Sequence, residues 1–245
     1  MKALILGATK GIGRALARQI AARGDSLFLL GRDLEDLERS ARDLEVRGAK
    51  GTVGVARCDL ADPAGFVKAL DAADRALASF DTVIVTAGLF ATQDKLEADA
   101  SFTASLLHAN FTATILFCEE ARKRLLARGG GTLVVFSSVA GERGRKPVIL
   151  YGASKAGLSA YLEGLDHKFR AQGLKTVCVK PGFVKTSMTE GLPPPPFAGE
   201  ADDVARIALH AIDRGTPVVY APRIWALVMQ VIRLMPRFVM RRVGF

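Results

Sequence analysis

Short, nearly unbroken apolar runs alternate along this chain with longer stretches whose apolar positions recur every three or four residues. The runs fall at residues 2–7, 27–30, 51–57, 82–85, 132–136 and 175–180. Short apolar runs of this kind suit strands covered on both faces. Between them, helical spacing predicts helices at 14–23, where Ala15, Leu16 and Ile20 face inward, and at 34–47, 63–79, 97–127 and 151–172. Strands separated by helices of this length pair in parallel through right-handed crossovers. The expected fold class is therefore α/β, a doubly wound parallel sheet forming a single domain over residues 1–221. Ligands of such sheets gather at the carboxyl ends of the strands.

Composition narrows the classes of function. The 245 residues, 49% of them hydrophobic, suffice for one large core. Cys58, Cys118 and Cys178 are dispersed and odd in number, which argues against a disulfide framework or a zinc site and fits a reducing, cytoplasmic setting. His108, His167 and His210 are equally scattered, so no metal site is expected. Only four apolar residues follow Lys2 before the glycines begin, too few for a secretory signal. No run is expected to reach the roughly 20 apolar residues of a membrane span. A net charge of +9 points to anionic partners. Without an aromatic–basic platform or a recognition module, it does not point to nucleic acid.

The first strand runs into Gly7-Ala8-Thr9-Lys10-Gly11-Ile12-Gly13, and a helix follows. Strand, glycine loop and helix together form a phosphate cradle: glycines let backbone amides approach a pyrophosphate, and the helix N-terminus favours its charge. The spacing is Gly-x-x-x-Gly-x-Gly, not the commoner Gly-x-Gly-x-x-Gly. Dinucleotide sites that prefer NAD place a carboxylate at the end of the second strand. Here Gly31 takes that place, with Arg32 next, and a guanidinium suits a 2′-phosphate. Lys10 adds a second cation, and Asp33 reads as the N-cap of helix 34–47. The cofactor expected is NADP(H), in a Rossmann-like fold. The alternative for Arg32 and Lys10 is simple solvation. Asp59, in Cys58-Asp59-Leu60, either bonds an adenine amino group or caps a turn, and Thr86-Ala87-Gly88 leaves room for a ribose.

Farther along, Asn110 interrupts an apolar helix face, so it is either a bonded core amide or a working one. Strand 132–136 delivers Ser138, and 13 residues later comes Tyr151-Gly152-Ala153-Ser154-Lys155. A phenol and an ammonium four residues apart share one helix face. A cation beside a phenol favours the phenolate and draws its pKa down from near ~10 toward working range. Such a pair suits proton transfer at a carbonyl or alcohol oxygen.

Taken in order, Gly7-x-x-x-Gly11-x-Gly13, Asp59-Leu60, Ala87-Gly88, Asn110, Ser138, Tyr151-x-x-x-Lys155 and Pro181-Gly182 with Thr186 resemble the short-chain dehydrogenase/reductase family over about residues 2–220. Thr86 departs from the family's usual Asn. The resemblance implies a catalytic tetrad of Asn110, Ser138, Tyr151 and Lys155, with Lys155 on the nicotinamide ribose and Asn110 holding a relay water. It implies further that Gly7, Thr9, Lys10, Gly11, Ile12, Gly13, Arg32, Asp59, Leu60, Ala87, Gly88, Pro181, Gly182, Val184 and Thr186 line the cofactor, Thr186 at the carboxamide. Helices 97–127 and 151–172 resemble those that pair between subunits, which implies a homodimer or homotetramer.

Residues 187–199 form the expected substrate lid, with Met188, Leu192, Phe197 and the prolines 193–196. Their apolar character favours a hydrophobic ketone or secondary alcohol, lipid-linked substrates included. Two rivals remain: a 3-oxoacyl-carrier-protein reductase docking its acidic carrier on Arg122-Lys123-Arg124, and a nonenzymatic NADP(H)-binding regulator. The tail 222–245 places Arg223, Gln230, Arg233, Arg237 and Arg241 on one side of a helix, with Trp225 and long apolar residues around the rest. It either lies in a membrane surface, at the inner face of the cell membrane, or covers the pocket or a neighbouring subunit.

Overall fold

The computed structural model describes residues 1–244. Seven parallel strands form one sheet in the order β3-β2-β1-β4-β5-β6-β9. They are β1 (Lys2–Leu6), β2 (Ser26–Gly31), β3 (Gly54–Arg57), β4 (Thr82–Val85), β5 (Gly131–Phe136), β6 (Leu174–Pro181) and β9 (Val218–Ala221). A separate parallel pair, β7 (Val184–Lys185) and β8 (Gly199–Glu200), brackets the lid.

The helices cover both faces. Ala3, Ile5, Leu27, Leu29, Val134 and Val177 point to the side holding α1 (Gly11–Ala22), α2 (Leu34–Val46) and α8 (Ala201–Arg214). Alternate residues Leu4, Leu6, Phe28, Leu30, Val83 and Val85 point to the other, against α3 (Phe66–Leu77), α6 (Thr114–Ala127) and α7 (Ile149–Phe169). The period-two alternation is present but carries no polarity, because both faces are buried. The fold is thus the expected single-domain, Rossmann-like doubly wound sheet.

Several boundaries shift for local reasons. The strand expected from residue 51 begins at Gly54, where pairing with Phe28 starts. The helix expected over 63–79 opens with a 3₁₀ turn at Pro63–Gly65 and ends at Leu77, because Ala78 and Ser79 take left-handed φ of 46° and 70°. The helix expected over 97–127 is broken at Asp99. A short helix α4 (Gln93–Ala98) precedes it, and Asp99 caps α5 (Ala100–Leu107) by accepting from the Phe102 amide at 2.8 Å. A π-turn, His108–Ala113, then joins α5 to α6. By length and composition only, the 28 residues from Ala100 to Ala127 are long and apolar enough for a membrane-spanning helix, a run that the sequence reading did not expect. Here Phe117, Cys118, Ala121 and Leu125 of this helix are buried in the core cluster that includes Leu133 and Val135 of β5.

The tail does not project as an independent element. Its helix α9 (Ile224–Leu234) buries Trp225, Met229 and Ile232 against Val139, with Tyr220 and Met235 alongside; Pro236 then separates a short α10 (Arg237–Met240). Trp225 therefore turns inward, onto the turn that follows β5.

Thr86 performs the tie that its position requires. Its hydroxyl lies 2.9 Å from the Gly7 carbonyl and 3.2 Å from that of Leu6, joining the ends of β1 and β4 beneath the glycine loop. Thr86→Val is expected to lower the unfolding free energy by about 1–2 kcal/mol in a urea titration, the cost of stranding these partly buried partners.

Candidate active site

The carboxyl ends of β1, β4, β5 and β6 converge on one crevice. After β1 the chain turns at Gly7, whose φ of +102° is open to glycine but strained for other residues. A methyl group on Gly13 would lie 2.1 Å from the Gly7 carbonyl, so only glycine lets α1 start this close to the strand. No side chain caps α1, and its first turn carries no acidic residue, leaving amides and a positive dipole end facing the loop. A methyl on Gly11 would stand 3.3 Å from Thr186 Cγ2, so the glycine loop and the segment after β7 form opposite walls. Ile12 packs partly into the core below, and Val184 is buried, its carbonyl accepting from Thr189 Oγ1 at 2.7 Å.

At the second strand, Arg32 is exposed beside half-buried Gly31, and Lys10 is exposed in the loop. Asp33 is committed to capping: its carboxylate accepts from the Asp36 amide at 3.1 Å. Asp59 also makes a turn, accepting from the Ala61 amide at 3.0 Å, while Leu60 is a core residue. Of the two readings of Asp59, the cap is therefore occupied.

The reactive set sits where β5 meets α7. Ser137 donates to the Lys155 carbonyl at 2.8 Å or to Ser159, fixing the strand end to the helix. A methyl on Gly141 would lie 2.6 Å from the Ala156 amide nitrogen, and one on Gly152 would lie 2.7 Å from the Ala140 carbonyl. Two glycines thus let the turn after Ser138 lie directly on the helix bearing Tyr151 and Lys155. Ser138 is buried; its Oγ accepts from the Ala140 amide at 3.1 Å and points a longer contact, 3.4 Å, at the Pro181 carbonyl. Lys155 is 5% exposed and donates to the Phe136 carbonyl at 2.9 Å.

Phe90 meets the Tyr151 ring edge-on at 5.0 Å and fixes its plane. No signal in a single sequence marks Phe90, Ser137, Gly141 or Gly152 for these tasks. Asn110, fully buried in the π-turn, clamps the backbone of Leu89 in both directions: Oδ1 accepts from its amide at 2.7 Å and Nδ2 donates to its carbonyl at 2.8 Å. This makes Asn110 a bonded amide that positions the end of β4. π-turns of this kind recur at functional sites.

The electrostatics differ from the sequence expectation in one respect. Tyr151 is not drawn below the ordinary range; desolvation pushes it up to about 12, against a smaller downward pull from the Ser138 hydroxyl. Lys155 moves the opposite way, down to about 8, because burial disfavours its charge. The ammonium lies 5.8 Å from the centre of the Tyr151 ring and is turned toward Phe136, so burial outweighs the cation's influence on the phenol.

A methyl on Gly88 would fall 3.1 Å from Asn110 Oδ1 and 3.6 Å from Lys155 Nζ, so Gly88 floors a small cradle between these two side chains. Amides at the α1 N-terminus, cations at Lys10 and Arg32, and this cradle fit the phosphates, adenosine end and nicotinamide ribose of a dinucleotide. Pro181 and Gly182 close the far side. Gly182 donates to the Ala221 carbonyl at 3.0 Å, and a methyl on it would collide with the Trp225 ring at 2.0 Å.

A family profile described as short chain dehydrogenase matches residues 1–195. An uncharacterized oxidoreductase of Mycobacterium tuberculosis is 34% identical over 98% of this chain and 95% of that protein. The 3-oxoacyl-[acyl-carrier-protein] reductase of Bos taurus is 28% identical over 85% of this chain and 90% of its own. Among solved structures, a variant of actinorhodin polyketide ketoreductase with NADPH superposes with a TM-score of 0.80 at 21% identity, over 89% of this chain and 94% of that one. The chain belongs to the short-chain dehydrogenase/reductase family of oxidoreductases.

Proposed function

We propose that this oxidoreductase uses NADP(H) to interconvert a hydrophobic ketone and its secondary alcohol, with Tyr151 as the proton donor in reduction. The observation that carries this reading is the meeting of Ser138, Tyr151 and Lys155 beside the Gly88 cradle, at the carboxyl ends of β4 and β5. The reduced nicotinamide supplies a hydride when bound. The chain's own part is electrostatic and protonic. The hydroxyls of Ser138 and Tyr151 donate toward the substrate oxygen as negative charge grows on it, an effect worth ~10²–10³ in rate per donor. A phenol held up at about 12 is protonated at neutral pH and ready to give that proton. Lys155 remains largely cationic near neutrality, within reach of an anionic nucleotide, while Asn110 keeps Leu89 and the end of β4 in place.

Arg32 and Lys10 support NADP(H), since the carboxylate next to Arg32, Asp33, is spent on its helix cap. The lid supports an apolar substrate: Met188 and Phe197 are exposed on it, and a hollow of about 460 Å³ opens between Phe183, Thr186 and Leu192. The carrier-protein reading draws little support from the basic run on α6. Arg122 pairs with Glu119, Lys123 with Glu120, and Arg124 with Asp71 and Asp74, so this basic run is neutralised from within. Turnover of acetoacetyl thioesters at rates above simple hydrophobic ketones would restore it. A chain that oxidises NADPH with no member of a broad carbonyl panel would instead be the nonenzymatic binder. Pairing into a homodimer or homotetramer through α5–α6 and α7 fits the exposure of Phe111 and Leu116, and a cytoplasmic location remains part of this reading.

Tyr151→Phe is expected to reduce turnover by about 10³-fold or more while the NADPH dissociation constant changes less than about threefold. Retained turnover would show that the hydroxyl is not the acid. Arg32→Ala is expected to shrink the affinity ratio of NADPH over NADH by about 10–100-fold in fluorescence titrations; an unchanged ratio removes Arg32 from phosphate recognition. NADPH affinity should also fall as pH rises through about 8, where Lys155 loses its proton. Tyr151 stays protonated across that range, so the inflection should vanish in Lys155→Met, and a flat wild-type profile would assign the cation elsewhere.

A further inference from the structure

After Asp213 the chain contains no acidic residue. The tail 222–245 contributes Arg223, Arg233, Arg237, Arg241 and Arg242, five of the net nine positive charges. Its helix α9 has three distinct sides. Trp225, Met229 and Ile232 are buried on the body of the protein. A second side carries Ile224, Leu227, Val231 and Leu234, and the stripe continues past Pro236 to Phe238. These five side chains recur at alternating intervals of three and four residues, and they are 39%, 60%, 53%, 78% and 62% exposed. An apolar stripe of this regularity, left uncovered along α9 and α10, is the signature of a surface that meets something apolar. Arg223, Arg237, Arg241 and Arg242 are exposed around it, and none makes an ion pair among the described residues.

We infer that the α9–α10 segment docks on an anionic lipid surface, its apolar stripe entering the headgroup boundary and its arginines meeting lipid phosphates. Charge decides between the two occupants an apolar stripe allows. A two-fold contact with a second copy would set one rim of arginines against another, with no carboxylate in the tail to separate them. A bilayer bearing negative headgroups satisfies the stripe and the rim together.

The segment is mounted on the active-site rim. Arg143 donates to the Met235 carbonyl at 3.0 Å and Lys146 to that of Arg241 at 2.7 Å, both from the loop between Ser138 and Tyr151. Glu142 of the same loop holds Arg233 at 3.3 Å and also pairs with Lys180. Trp225 donates to the Phe197 carbonyl of the lid at 3.2 Å. Docking would therefore bring the lid and the Ser138–Tyr151 loop to the lipid boundary, where a ketone dissolved in the bilayer could reach them. This last step rests on the proposed hydride transfer; the docking itself does not.

The test uses the full chain with vesicles of phosphatidylcholine alone, or with about one-third phosphatidylglycerol. Co-flotation with the anionic vesicles, weakened by high salt, is expected. Leu227→Ser/Leu234→Ser/Phe238→Ser should reduce it by roughly tenfold or more, and Arg237→Glu/Arg241→Glu should abolish the preference for anionic vesicles. All substituted side chains are exposed; unchanged melting and NADPH binding would verify that the variants fold. Absent flotation, or equal flotation of the triple-serine variant, overturns the inference. So does a dimer in sedimentation equilibrium that the triple-serine variant dissolves without any vesicle binding. None of these readouts involves turnover, so failure here leaves the hydride-transfer reading intact.

Discussion

The site depends on how closely the turn after β5 can lie on α7. At Gly141 and Gly152 backbone meets backbone at separations that no side chain tolerates. This contact, reinforced by Ser137 bonding to the Lys155 carbonyl, sets Ser138 beside the helix face that bears Tyr151 and Lys155. The reacting groups thus come from a strand end and a helix, both built into the packed core, which holds their spacing without help from the lid. A methyl at either glycine would push the turn that carries Ser138 away from α7 without altering the identity of any reactive residue. Catalytic positioning is a packing property here before it is an electrostatic one.

Burial then sets the electrostatics. It raises the phenol and lowers the ammonium, moving the two pKa values toward opposite protonation preferences from those a simple charge pair would give. The tyrosine is thereby kept as an acid, and the lysine is brought down to about 8. A four-residue spacing on a helix says that two side chains share a face; it does not say where the longer one turns. Lys155 reaches the Phe136 carbonyl, which an isolated helix lacks and which only the sheet supplies.

That difference marks what the sequence could carry. Six of the seven strands of the main sheet, the helices between them and the glycine loop were legible because each leaves a local pattern: apolar runs, three-to-four spacing, and glycine at a required turn; β9 and α8 were not anticipated. Asp33 was legible as a cap because capping involves residues three apart. Asn110 was visible as an anomaly on an apolar face, yet its partner, the backbone of Leu89, is 21 residues away and leaves no mark. The π-turn around it, the edge-on Phe90 and the neutralisation of Arg124 by Asp71 and Asp74 likewise arise from tertiary contacts. Thr86 shows the converse. It looked like a departure, but a hydroxyl reaching two carbonyls supplies the tie between β1 and β4.

The tail extends the same logic to the surface. A helix sequence that is apolar nearly all round reads equally well as buried or as membrane-bound, and the structure divides those residues between a buried side and an exposed one. Trp225, Met229 and Ile232 find partners on the body, whereas Ile224, Leu227, Val231 and Leu234 stay exposed. Because the buried third is fastened to the loop that carries the reactive serine and to the lid, whatever covers the exposed third is coupled mechanically to the site entrance. Five of the net nine positive charges lie on this segment, whereas the basic run of α6 is paired with acidic neighbours. Net charge alone could not distinguish those placements. Of the five tail arginines only Arg233 is ion-paired among the described residues, so this segment gathers unpaired positive charge beside the loop between Ser138 and Tyr151.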